Sequence, residues 1–67
     1  MISIELNGKK QELPPDSSVG DLLAIIGSDG KTVAVLVNHS IVRPENRTGT
    51  ILRENDRVEI LFFAGGG

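Results

Sequence analysis

Asn7-Gly8 divides the N-terminal stretch of this chain into two arms, Ile2 to Leu6 and Lys9 to Leu13. Both residues tolerate the positive φ angles of a type I′ turn, which reverses a strand in two residues. Ile2, Ile4 and Leu6 alternate with Ser3 and Glu5, the period of a half-buried strand. The returning arm is mostly polar and suits a sheet edge, and Pro14-Pro15, which lacks ladder donors, stops it. A chain that opens this way begins as an antiparallel hairpin.

The hairpin needs an apolar partner, and the next segment supplies one. Ser18 reads as a helix N-cap with Asp21 closing a capping box. Val19, Leu22, Leu23 and Ile26 then recur at the spacing of one helix face. Gly27 is placed to end the helix in the left-handed conformation. Val33 to Val37 is β-branched and short, so a strand is expected, with Ile41-Val42 as a brief partner across a turn at Asn38-His39-Ser40. Pro44 ends that pair, residues 45–50 read as polar loop, and Ile51-Leu52 is a small apolar anchor. Asn55 is the residue of the following turn best able to take positive φ. Arg57 to Phe62 is the last strand, with Val58, Ile60 and Phe62 on one face.

The order is β-β-α-β-(β)-β. The first and last strands are the most apolar, which suits adjacent, parallel places in the middle of one sheet with the helix across one face. That arrangement is an α+β fold of the β-grasp, or ubiquitin-like, kind. The expected core is Ile4, Leu6, Leu23, Ile26, Val35, Val58, Ile60 and Phe62. Leu61 and Phe63 alternate with core residues and therefore point to the other sheet face, which Ala34 and Leu36 share. A contiguous outward apolar patch marks partner docking, so Leu61, Phe63 and Leu36 are the candidate docking residues.

Composition narrows the function. With 67 residues there is space for one small domain and none for a separate substrate cleft with its own catalytic set. Aromatic residues are 3 % and formal charge is −2, so neither a base-stacking surface nor a basic phosphate-binding face is expected, and nucleic acid is excluded as a partner. The chain holds no cysteine, which removes disulfides, thiolate metal sites and a thiol nucleophile. No basic leader and no apolar run of spanning length is present, so a cytoplasmic protein without membrane contact is expected, a monomer when free. Gly30-Lys31-Thr32 is not a phosphate-binding loop, because Ile25 stands at the required first glycine and a strand follows. His39, the one histidine, reads as an exposed turn residue, and Glu54, Asp56 and Glu59 are interleaved with Arg53 and Arg57 as a mixed-charge edge. No resident metal or cofactor is expected.

What remains is the end of the sequence, Phe63-Ala64-Gly65-Gly66-Gly67. Residues 1–64 read as the domain and residues 65–67 as a flexible glycine tail. Lacking Cβ atoms, such a tail threads a narrow channel, and four residues from Ala64 extend at most about 14 Å. A terminal carboxyl group with a pKa of about 3.3–3.7 is an anion at neutral pH and a poor electrophile, so it must be activated before it can act as an acyl donor.

Several stretches together make the chain resemble the ubiquitin-like sulfur-carrier family, closest to the carriers of thiamin biosynthesis (ThiS) and next to their molybdopterin relatives (MoaD). They are Asn7-Gly8, Ser18-Val19-Gly20-Asp21-Leu22-Leu23, Val35-Leu36-Val37-Asn38 and Ile41-Val42-Arg43-Pro44, together with Leu52 through Ile60 and the glycine end. The family pattern commonly has glycine where Asn55 stands, and one Gly-Gly pair instead of three glycines. The resemblance implies a protein co-substrate rather than an enzyme. A ThiF-like adenylyltransferase would consume ATP and Mg²⁺ to adenylate the carboxylate of Gly67, with Gly65 and Gly66 in the channel. Sulfur from a cysteine desulfurase would then give a thiocarboxylate, and a ThiG-like thiazole synthase would accept the sulfur. The alternatives are a small subunit of molybdopterin synthase and a ubiquitin-like modifier or interaction module.

Overall fold

The computed structural model describes residues 1–28 and 33–62. Strands β1 (Ile2–Leu6) and β2 (Lys9–Leu13) are followed by helix α1 (Val19–Ile25). Then come β3 (Val33–Val37), β4 (Ser40–Val42), a 3₁₀ turn (Pro44–Asn46) and β5 (Arg57–Phe62). The sheet order is β2-β1-β5-β3-β4. β1 and β5 run parallel side by side, and every other neighbouring pair is antiparallel. This is the expected β-grasp.

Local chemistry explains each element. Asn7 and Gly8 both take positive φ, 49° and 83°, closing the first hairpin as a type I′ turn. Asn38 and His39 do the same at 51° and 72° between β3 and β4. Ser18 Oγ accepts from the Asp21 amide at 3.1 Å while the Asp21 carboxylate accepts from the Ser18 amide at 2.9 Å. The helix ends with Gly27 at φ 79° and Ser28 N–H bonded to the Leu23 carbonyl, a Schellman closure. The segment around Leu52 anchors the helix entry, since Val19 N–H donates to Thr50 and Leu52 N–H to Ser17. Leu52 is buried, whereas Ile51 faces solvent.

The helix packs across one sheet face and encloses Ile4, Leu13, Val19, Leu22, Leu23, Val35, Leu52, Val58 and Ile60, with Leu6 and Ile26 partly buried against them. One expected core residue is not there. Phe62 is 65 % exposed. Alternation does put it on the same face as Val58 and Ile60, but β1 pairs with β5 only as far as Leu6 opposite Val58. The Asn7 side chain still flanks Ile60 on that side, but beyond it, among the described residues, the strand has a neighbour on the β3 side alone, and a core-facing side chain there lacks half of its packing.

Arg47 is the unexpected buried residue, at 7 % exposure. The register of β3 against β4 would next place Val33 opposite Pro44, which has no N–H to give. The two-residue turn makes Val37 and Ser40 a hydrogen-bonded pair, so Val35 and Val33 direct their carbonyls toward the same side. Arg47 Nη2 fills the gap, donating to the Val33 carbonyl at 2.9 Å.

Candidate functional site

The sheet face opposite the helix is divided by strand. Register places Ala34 beside Leu61, Leu36 beside Glu59, and Leu36 beside Ile41. Since these residues alternate with buried Val35, Ile60 and Val42, their side chains share the outer face. Leu61 is 51 % and Ile41 67 % exposed, with Ala34 and Leu36 half-buried between them. They form one apolar area over β5, β3 and β4.

The other half of that face is charged. Arg57 Nε lies 3.3 Å from Glu5 Oε2 across the parallel pair, and Lys10 stands on the same face of β2. His39 Nδ1 approaches Glu59 Oε1 at 3.8 Å on the apolar margin, with its side chain 75 % exposed. Glu54 and Asp56 serve the backbone, accepting from Ser3 N–H at 3.0 Å and Arg53 N–H at 2.9 Å. Asp56 also accepts from Asn38 Nδ2 at 3.0 Å. Among the described residues no group of three or more His, Asp or Glu side chains is placed to hold a metal ion. Nor is any helix long and apolar enough to cross a membrane.

Of the docking residues expected from sequence, Leu61 and Leu36 come together on this face. Phe63 lies outside the described residues, as do 65–67 of the glycine run. Sequence reading did not place Ile41 in the patch. The signal for it was the two-residue turn, which fixes Ile41 opposite Leu36. β5 therefore has two roles. Its even-numbered side chains from Val58 to Ile60 fill the core, and Leu61 joins the patch just before the chain continues toward the glycines.

A sequence profile matches residues 3–67, nearly the whole chain and the glycine run with it. The chain belongs to the ThiS family. The sulfur carrier protein ThiS of Bacillus subtilis is 35 % identical over 65 residues, covering 96 % of this chain and 98 % of that protein. A thiazole synthase of Paramagnetospirillum magneticum is 30 % identical over 66 residues, and one of Magnetococcus marinus matches equally. This chain spans only 20 % of the length of those two synthases. In three dimensions it superposes on the crystal structure of a thiamine biosynthesis protein (ThiS) from Geobacter metallireducens with a TM-score of 0.84 at 28 % identity. That superposition covers 98 % of this chain and 100 % of the other. ThiS-family membership thus extends over the hairpin, the helix entry, the outer patch and the glycines together.

Proposed function

We propose that this chain is the sulfur carrier of thiamin biosynthesis, a protein co-substrate whose working group is the carboxylate of Gly67. The observation that carries the reading is the family match running through residues 3–67, with a carrier of nearly equal length among the relatives. The outer patch of Leu61, Leu36 and Ile41 docks the body on its partners, Phe63 is assigned to the same role from the sequence alone, and residues 65–67 enter the partner's channel as a slim tail.

The chemistry follows from the carboxylate. One oxygen attacks the α-phosphate of ATP on an adenylyltransferase of the ThiF type, Mg²⁺ there offsets the phosphate charge, and pyrophosphate leaves. The terminal sulfur of a persulfide, supplied by a cysteine desulfurase, attacks the acyl carbon and AMP departs. A thiol then takes up the persulfide's inner sulfur, breaking the S–S bond and releasing the thiocarboxylate. This chain contributes position and slimness, while the catalytic groups belong to its partners. A thiazole synthase is the proposed sulfur acceptor, supported by the two synthases in which a matching stretch occupies a fifth of a longer protein.

The test is the intact mass of the protein after incubation with the adenylyltransferase, ATP and a persulfide source. Replacement of one oxygen by sulfur is expected. Misplacing a reacting group by about 1 Å can cost on the order of 100-fold in rate. One alanine added after Gly67 should therefore abolish the mass change without unfolding the body. Gly66→Val should act similarly, by placing a β-branched side chain in the channel. Lysine conjugates in place of the sulfur exchange would identify a modifier. Full sulfur loading of the alanine-extended protein, extension retained, would refute the carrier mechanism.

A further inference from the structure

Asn7 does more than make a turn. Its backbone N–H donates to the Val58 carbonyl at 2.9 Å, the last main-chain bond between β1 and β5. Its side chain then continues the ladder. Asn7 Oδ1 accepts from Ile60 N–H at 2.8 Å, and Asn7 Nδ2 donates to the Ile60 carbonyl at 3.2 Å. One carboxamide thus satisfies both backbone groups of a residue 53 positions away, as a peptide unit of a neighbouring strand would.

The strand needs this. Asn38 N–H bonds the Arg57 carbonyl and Asn7 N–H the Val58 carbonyl, so odd-numbered residues of β5 turn their backbone groups to β3 and even-numbered ones to β1. The chain reverses at Asn7-Gly8, and Ile60 would otherwise face an absent strand. Two residues further on, Phe62 points its backbone to that same side, with no strand opposite it among the described residues. Among the described residues, Asn7 is therefore the last hold on that side of β5 before the chain heads for the glycines.

The geometry points to Asn7 as a positioning residue for the C-terminal acyl donor: its carboxamide, standing in for one residue of strand, keeps β5 straight through Ile60 and sets the direction in which the tail departs. This rests on the carrier reading of the chain. Leverage makes the direction matter. From Ile60 to Phe62 the strand runs about 7 Å, so a tilt of about 10° at Ile60 shifts the root of the tail by about 1 Å and turns its departure by the same angle. Docking through Leu61 and Ile41 leaves that direction unset on the β1 side, and the Asn7 amide sets it before the partner is met, which lowers the ordering cost of binding.

Two variants separate the clamp from the turn. Asn7→Gly keeps the left-handed backbone and removes the carboxamide. Asn7→Asp keeps the acceptor for Ile60 N–H and sets an oxygen against the Ile60 carbonyl. A protonated Asp can again donate, so acidification through the carboxyl range (pKa about 3.9 unperturbed) should restore the clamp in this variant alone. A carboxylate facing a carbonyl has its charged form disfavoured, so the defect is absent below the unfolded pKa and grows as pH rises through the folded one.

The measurements are amide hydrogen exchange at Ile60, circular dichroism, and pyrophosphate release with a purified ThiF-type adenylyltransferase from the same cell. Folded Asn7→Gly should exchange the Ile60 amide at least tenfold faster, with KM for the carrier within about twofold of wild type and kcat reduced about 10–100-fold. Unchanged exchange overturns the clamp. Faster exchange with normal kcat, or a raised KM at normal kcat, overturns the positioning role. No pyrophosphate from the wild type itself sinks the carrier reading and the positioning role with it, whatever the variants do.

Discussion

Arg47 Nη2 stands 2.9 Å from the Val33 carbonyl and takes the place of a strand residue that Pro44 cannot provide. The same device recurs at Asn38, whose Oδ1 accepts from Arg57 N–H at 3.0 Å, and at Asn7 on Ile60. These side chains, like Glu54 on Ser3 N–H, complete a sheet whose strands are too short to complete themselves.

Replacing Arg47 with Met keeps an unbranched buried stem and removes the donor. A buried carbonyl left without a partner costs about 1–3 kcal/mol. For a domain of this size each kcal/mol shifts Tm by about 4–8 °C, so Arg47→Met should melt at least about 4 °C below wild type. Equal melting temperatures in a calorimetric scan would show that the Val33 carbonyl finds another donor at no cost.

Leu61→Asp and Ile41→Asp each put a charge into the outer apolar patch at positions already about half or more exposed. Circular dichroism should change little. Affinity for the adenylyltransferase should fall by about 1–4 kcal/mol, the usual effect of losing an interface anchor. Lys10→Ala, on the charged half of the same face, should bind as wild type does. Titration calorimetry reads all three, and full affinity in both Asp variants would remove this face as the docking surface.

Gly20 sits inside α1 with ordinary helical backbone. A Cβ there would lie 3.5 Å from Thr48 Cγ2 and 3.6 Å from Ser18 Oγ, both comfortable contacts. Gly20→Ala should therefore stabilise the protein by about 0.5–1 kcal/mol through the lost freedom of the unfolded chain. A lower Tm than wild type would mean that the helix entry against Arg47 and Thr48 is tighter than these distances indicate.

Much of the fold was legible because its turns and caps are local chemistry. Asn7-Gly8, Ser18 with Asp21, Gly27 and Asn55 each answer to a backbone angle or a hydrogen bond within a few residues, and all took the expected conformations. Alternation placed Leu36 and Leu61 on the outer face. It failed for Phe62 because alternation reports which face a residue takes and carries no information on whether a neighbouring strand exists there. The burial of Arg47 was hidden for a related reason: its partner carbonyl, at Val33, is near only after Pro44 has closed β4. Ile41 escaped notice in the site because a three-residue strand is too short to show a period.

The central place of β5 has a consequence for how the protein is made. β1 with β2 and β3 with β4 are hairpins of neighbouring residues, each marginal on its own, and no strand joins them until β5 lies between β1 and β3. At about 5–20 residues per second, translation from Val42 to Phe62 takes about one to four seconds. During that interval the chain has neither a sealed core nor the assembled outer patch. The strand that bears Leu61 is also the strand that closes the sheet. A nascent chain therefore presents no docking surface before its β5 has been synthesised, and partners sample only molecules in which the last strand is already in place.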